Sequence, residues 1–141
     1  GTDLGLPNVD TVNFGRNLIA TRGTGENANV VTVVADAFTW SEIANDHLMT
    51  ADDIGNGLKA THNSGPVIVT VPGDTQLGID TEDSALIMQA GAGSVAVVGQ
   101  SGVTVNVRSA LAAETAGQYA VLSLIHTGAD EWVLCGDLGA V

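Results

Sequence analysis

The sequence predicts an all-β fold: an antiparallel sandwich, a barrel-like sheet or a β-prism module. Valine, isoleucine and threonine are concentrated in short runs, as in strands. Clusters of Gly, Asn, Asp and Ser separate these runs at spacings of roughly 8 to 12 residues, which is typical of sandwiches and barrels. Glycine supplies 18 of 141 residues and aromatic residues only 4%, so we expect small side chains to pack closely in the core.

Seven runs are predicted strands: NVVTVV (29–34), PVIVTVP (66–72), ALIMQA (85–90), SVAVVG (94–99), VTVNV (103–107), YAVLSLIH (119–126) and EWVLCGDL (131–138). In VTVNV, Val103, Val105 and Val107 are predicted to share one face, because side chains alternate along a strand. Thr104 and Asn106 then share the other face. SVAVV and PVIVTV are apolar at nearly every position, so we expect both faces of these strands to be covered.

The predicted organisation is an N-terminal arm, residues 1–46, followed by a β-rich module, residues 47–141. The first thirty residues contain Gly5, Pro7, Gly15, Gly23 and Gly25, which predicts an irregular segment. An arm of this length suits attachment to a neighbouring subunit or to a larger assembly.

Residues 36–55, DAFTWSEIANDHLMTADDIG, allow two interpretations. One is a short helix capped by Thr39 or Ser41 and ending at Gly55. The other is a strand, because Phe38 and Trp40 alternate as they would on one face of a sheet.

The charge of the chain excludes some partners. Four Lys and Arg stand against sixteen Asp and Glu, giving a net charge of −12. Nucleic-acid binding and attraction to anionic membranes both require clustered cations, so neither partner is expected. The uncharged stretch 84–107 is too polar and too regularly alternating for a membrane-spanning helix.

The stretch MQAGAGSVAVVG (88–99) resembles a phosphate-binding glycine loop at first sight. Such a loop requires a following helix whose amides point at the phosphate, and an acidic residue at the end of a second strand. SVAVVG is β-branched and closes after five residues, and Glu114, at the matching spacing, does not end a strand. The stretch therefore predicts a hairpin turn in which glycines supply positive φ.

No catalytic, cofactor-binding or metal-ligating residue is predicted, and no cofactor is expected. ADDIGNG (51–57) lacks the spacing of a calcium loop and is interpreted as a solvated turn. The histidines His47, His62 and His126 lack zinc-site spacing, and His126 is expected at a strand end. Ser101 lacks the spacing of a nucleophile elbow. The single Cys135 cannot form an internal disulfide and is predicted to be a small buried apolar residue.

Aromatic residues are scarce enough to be considered individually. Trp132 is predicted to lie in the core or to plug an interface between subunits. Core packing is also the commoner role for Phe38 and Trp40. Trp40 is nevertheless the one candidate ligand contact, because with Phe38 it could form a surface on which a sugar stacks.

The second part of the chain resembles a module of tailed-bacteriophage appendage proteins. The resemblance lies in LMTADDIGNGLKA, PVIVTVP, ALIMQAGAGSVAVVGQSGVTVN and AGQYAVLSLIHTGADEWVLCGDL, and it covers roughly residues 48–141. The closing segment is its most specific part. The linker RSALAAETAGQY departs from the family pattern, which has a shorter apolar and basic segment.

This resemblance implies a non-enzymatic virion structural protein, usually a homotrimer, exposed on the virion surface after assembly in the host cytoplasm. The length of the chain fits a capsid decoration or head-fibre subunit, with the major capsid protein or another virion protein as partner. The alternative is a receptor-binding module of a tail fibre or spike that recognises host surface carbohydrate.

Overall fold

The fold is described from a computed structural model, for residues 11–13, 18–22, 31–35, 37–79 and 83–141. The chain divides into two compact units, Gly1–Ala37 and Phe38–Val141. The boundary thus lies after residue 37, whereas the sequence suggested a boundary after residue 46. The segment 38–46 belongs to the second unit because its strand pairs there.

The first unit contains a three-stranded antiparallel sheet of β1 (Thr11–Asn13), β2 (Leu18–Arg22) and β3 (Val31–Ala35). Strand β2 is central, with Thr11 opposite Thr21 and Leu18 opposite Ala35. The expectation of an irregular segment is therefore wrong for β1 and β2, whereas β3 overlaps the predicted strand NVVTVV. The glycines that suggested it lie outside the paired segments, and the segments themselves carry β-branched residues that favour strands.

The second unit contains two larger sheets, which confirms the all-β prediction. Its elements are β4 (Trp40–Ile43), β5 (His47–Leu48), a 3-10 turn (Ala51–Asp53), β6 (Gly57–Ala60), β7 (Val67–Val71), α1 (Asp74–Leu77), β8 (Ser84–Gln89), β9 (Val95–Gly99), β10 (Thr104–Val107), β11 (Leu111–Thr115), β12 (Val121–Gly128), β13 (Glu131–Gly136) and β14 (Leu138–Ala140). One sheet has the order β10-β13-β12-β8-β6-β4, and the other has the order β14-β11-β9-β7-β5. Neither forms a closed barrel, because the end strands of each have a single neighbour.

Both sheets are mixed, whereas the sequence predicted antiparallel ones. From β4 to β11, each strand lies in the opposite sheet from the strand before it. Strands β4, β6 and β8 therefore lie side by side and run parallel, as do β5, β7 and β9. The predicted hairpin across 88–99 is wrong for the same reason: β8 belongs to the six-stranded sheet and β9 to the five-stranded sheet.

The hydrophobic core of the second unit contains side chains from both of its sheets. Its largest fully buried members are Trp132, Met49, Leu58, Leu77, Ile87, Leu122, Leu124 and Leu134. The predicted alternation of VTVNV is confirmed, since Val103, Val105 and Val107 pack against this core and Thr104 and Asn106 are exposed. Trp132 is fully buried in the core, as one of its two predicted roles requires.

The predicted helix at residues 36–55 is largely wrong, and the strand interpretation is confirmed at its centre. Trp40–Ile43 is a strand parallel to β6, and only Ala51–Asp53 forms a helical turn. Pairing with β6 determines this outcome, because Trp40 lies opposite Gly57 and Ile43 enters the core.

Candidate functional site

The glycine-rich loop between β8 and β9 joins the two sheets. Gly91 and Gly93 are both buried, and neither has a positive φ. A Cβ on Gly91 would lie 1.9 Å from the carbonyl oxygen of His62, and one on Gly93 would lie 2.4 Å from the His62 ring. The glycines are therefore required by close approach of another chain segment, and the prediction that they supply positive φ is wrong. The loop leads into strand β9 rather than a helix, so it lacks the element on which phosphate loops depend.

Polar side chains hold this loop in place: the half-buried His62 and the buried Gln89 and Thr115. His62 Nε2 lies 2.9 Å from the carbonyl oxygen of Ser94 and 3.0 Å from that of Gly65, so its N–H is shared between two acceptors. The Thr115 hydroxyl donates to Gln89 Oε1 and accepts a 2.9 Å hydrogen bond from the Val95 amide. These contacts link β8, β9 and β11, and we assign them a structural role.

The acidic turn at 51–57 is organised around Asp53. This side chain is only 5% exposed, so the interpretation as a solvated turn is wrong for Asp53. Its Oδ2 accepts a 2.8 Å hydrogen bond from the Thr50 amide and lies 2.8 Å from His47 Nε2. Satisfied carboxylates of this kind hold a turn in shape. Within the described ranges, no group of three or more His, Cys, Asp or Glu residues could hold a metal ion.

His126 forms a buried acid–base pair that the sequence did not indicate. It lies inside β12 at 2% exposure, not at the strand end, and its Nε2 is 2.9 Å from Asp74 Oδ2. Asp74 Oδ2 also accepts from the Asp130 amide, and Asp130 Oδ1 accepts from the Asp74 amide. The His126 ring packs edge-on against Trp132, with centroids 4.8 Å apart. Because the imidazole is enclosed in the core, the pair fastens α1 to the β12–β13 turn and is not placed to meet a substrate.

Cys135 is exposed, contrary to the prediction that it is buried. Trp132 and Leu134 point into the core, so strand alternation places Cys135 on the outer face of the six-stranded sheet. Residues 132–135 (WVLC) are all apolar, so hydrophobicity alone did not reveal which of them face inward.

Phe38 and Trp40 are the most unusual feature of the six-stranded sheet. Phe38 is 49% exposed and Trp40 is 37% exposed, so the core role expected for them is wrong. Their rings meet edge to face, with centroids 5.2 Å apart and planes at 86°. Strand β4, which carries Trp40, is an end strand of its sheet. The structure thus leaves the one predicted ligand-contact residue accessible.

The five-stranded sheet presents aliphatic side chains on its outer face. Leu48, Ile68 and Val98 are 46%, 38% and 42% exposed and lie on the adjacent strands β5, β7 and β9. Leu48 and Val98 both lie opposite Thr70, while Ile68 lies opposite Ala96. We call these five residues the aliphatic face. The expectation that PVIVTV and SVAVV are covered on both sides is not met by this chain itself, since their outer side chains remain exposed.

One further surface feature is a depression near the β11–β12 connection. A shallow open depression is lined by Leu111, Ala116, Gly117, Gln118, Tyr119, Ala120, Gly136, Asp137 and Leu138, with one charged residue among them. Among the described residues, no helix is both long enough and apolar enough to span a membrane.

Comparisons with protein-family models, with curated proteins and with solved structures give no match to this chain. The candidate sites therefore rest on the geometry above. They are the aliphatic face and the Phe38–Trp40 pair.

Proposed function

We propose that this chain is a non-enzymatic structural subunit of a bacteriophage virion, most simply a capsid decoration or head-fibre protein that assembles as a homotrimer. The aliphatic face is the observation that supports assembly. Clustered apolar side chains of this kind mark surfaces that other chains cover. The trimer and the virion role come from the resemblance of residues 48–141 to appendage modules.

Charge favours the aliphatic face as the contact between copies. The chain carries a net charge of −12, so most surfaces of two copies repel each other. Leu48, Ile68, Thr70, Ala96 and Val98 carry no charge, and the half-buried Glu114 borders them on β11. Contact through these residues buries apolar area while the carboxylates stay at its rim.

The open sheets support the same proposal. In each sheet of the second unit the end strands have one neighbour, and exposed strand edges are sites for pairing with other chains. In the proposed subunit, the two sheets pack as a sandwich whose edges are protected by neighbouring copies. The first unit, residues 1–37, attaches the trimer to the major capsid protein or another virion protein.

Analytical ultracentrifugation of the full chain at micromolar concentration tests the assembly. We expect a trimer for the natural sequence and a monomer for Ile68→Asp, because a charge in the aliphatic face is costly to bury. Ile125→Asp is the matched control, since Ile125 is also a strand isoleucine, is equally 38% exposed and lies in the other sheet. A monomeric natural chain, or a trimer that survives Ile68→Asp, contradicts the proposed interface.

The virion role is tested separately. Antibodies against the purified chain should label heads of phage particles from the culture that carries the gene, in negatively stained images. Labelling of tail fibres instead would favour the alternative, a receptor-binding module. Absence of the chain from purified particles would contradict both. The exposed Phe38–Trp40 pair is the observation that favours the alternative.

A further inference from the structure

We propose that Trp40 and Phe38 form a stacking site for a neutral pyranose, with Glu42 and Lys59 as hydrogen-bonding partners of the sugar hydroxyls. This inference deepens the alternative function named above by specifying its ligand class and contact residues, and it does not depend on the proposed trimer or virion role. It rests on how the two rings are supported, on what lies beside them and on the charge of the chain.

The two rings meet over Gly57, where there is no room for a side chain. Gly57 lies directly opposite Trp40 on the neighbouring strand. A Cβ on Gly57 would lie 2.3 Å from Trp40 Cε3 and 2.9 Å from Phe38 Cζ. The Trp40 indole therefore rests against bare backbone, and the part of the ring system turned away from Gly57 is exposed. Phe38 stands nearly perpendicular to it and forms a wall.

Polar groups flank the rings one pair of residues further along the strands. Glu42 lies on the same side of β4 as Trp40, and it is paired in register with Lys59. Lys59 Nζ donates a 2.8 Å hydrogen bond to Glu42 Oε1, and both side chains are substantially exposed. An ammonium group has three donors and a carboxylate has two oxygens, so the pair can still accept from and donate to a ligand.

This combination suits a carbohydrate ring. A pyranose has an apolar face of C–H groups and a rim of hydroxyls, and binding sites for such amphipathic ligands combine aromatic surface with a few placed polar groups. The Glu42 carboxylate can accept a hydrogen bond from one sugar hydroxyl, and the Lys59 ammonium can donate one to the adjacent hydroxyl. A chain with a net charge of −12 repels acidic sugars, so the ligand class is a neutral saccharide.

Binding can be measured with full-length protein on an array of neutral gluco-, galacto- and manno-oligosaccharides together with sialylated ones. The fluorescent label should be attached at the exposed Cys135, because Lys59 is the only lysine of the chain and amine labelling would modify the site. The strongest neutral oligosaccharide is then titrated in solution while tryptophan emission is recorded. Trp132 is fully buried, so a ligand-induced change reports on Trp40.

Matched variants distinguish a loss of ring stacking from a general disturbance of the fold. We expect Trp40→Ala to weaken binding roughly tenfold or more, as loss of an aromatic anchor does, and Trp40→Phe to retain part of it. Gly57→Ala keeps every ligand-contacting side chain but displaces both rings, so it should also weaken binding. Gly117→Ala is its control, because a Cβ there meets nothing within 4 Å. Tyr119→Ala removes an aromatic residue that is 71% exposed and should leave binding unchanged.

Three results would overturn the proposal: no binding to any neutral oligosaccharide at millimolar concentration, binding that survives both Trp40→Ala and Gly57→Ala, or binding restricted to sialylated sugars. A fourth would reassign the surface. If Trp40→Ala dissociates the oligomer in ultracentrifugation and the natural chain binds no sugar, the rings contact another copy of the chain. Because Trp40 is exposed, its alanine variant is expected to fold, which near-ultraviolet circular dichroism can verify.

Discussion

Replacing Gly91 by alanine is expected to lower the free energy of unfolding of the second unit by about 3 kcal/mol, the upper part of the range for overpacked sites. The added Cβ would lie 1.9 Å from His62 O and 2.8 Å from the carbonyl carbons of both His62 and Thr61. These are backbone atoms, so no side-chain rotation relieves the overlap. The β8–β9 connection or the segment at residues 61–62 has to move.

Urea denaturation followed by the emission of the buried Trp132 measures this cost. With an m value of about 1.5 kcal/mol/M, a loss of 3 kcal/mol lowers the midpoint by about 2 M. Gly117→Ala is the control, because its Cβ occupies open space and its φ is not positive. Alanine at such a site restricts the unfolded chain and should raise the free energy of unfolding by about 0.4–1 kcal/mol.

Gly91→Asn distinguishes close approach from turn geometry. If Gly91 served a left-handed turn, asparagine would be tolerated better than alanine, because it visits that conformation more readily. If the His62 carbonyl excludes any Cβ, asparagine is at least as damaging as alanine. A Gly91→Ala variant within about 0.5 kcal/mol of the natural chain, or an asparagine variant clearly milder than the alanine one, would refute the reasoning.

Three further outcomes are expected. Leu124→Ala should lower the free energy of unfolding by about 2–5 kcal/mol, because it leaves a cavity in the core shared by both sheets; urea denaturation checks this. Asp74→Ala should cost about 1–3 kcal/mol in the same assay, since it removes the acceptor for the Asp130 amide and for His126 Nε2. Native Cys135 should react with a thiol-specific disulfide reagent almost as fast as it does in urea, because its side chain is exposed; slow reaction of the native protein would show that this part of the six-stranded sheet is covered.

The sequence predicted the strands that lie in longer β-branched runs, and it missed short strands and strands with few β-branched residues. Each of the seven predicted runs overlaps a strand, but β6 (GLKA) and β11 (LAAET) were not predicted. Their alanine, leucine, lysine and glutamate favour helices in isolation. Each is a strand because it has neighbours on both sides, β4 and β8 in one case and β9 and β14 in the other. Sheet pairing outweighs local preference there.

The other differences between the sequence predictions and the structure concern contacts between residues that are far apart in the chain. Asp74 and Asp130 exchange hydrogen bonds although 56 residues separate them, and no local spacing indicates such a pair. The outward position of Cys135 likewise depends on which alternate residues of the apolar run 132–135 face the core. Trp40 was identified because aromatic residues are rare, but its exposure and its support by Gly57 required the register between β4 and β6.

The alternation of strands between two sheets connects the sequence pattern to the proposed assembly. Strands β7 and β9 each have a neighbouring strand on both sides, and the Ile68 amide donates to the Asp46 side chain, so the outer side chains are the groups of these strands that remain available to a partner. Polar residues are expected at positions of a sheet that face solvent, and β10 has Thr104 and Asn106 at such positions. The chain instead places Ile68 and Val98 there, although their inner neighbours already fill the core. In the proposed assembly, a second surface covers these outer apolar positions, and that surface is the matching apolar face of another copy of the chain.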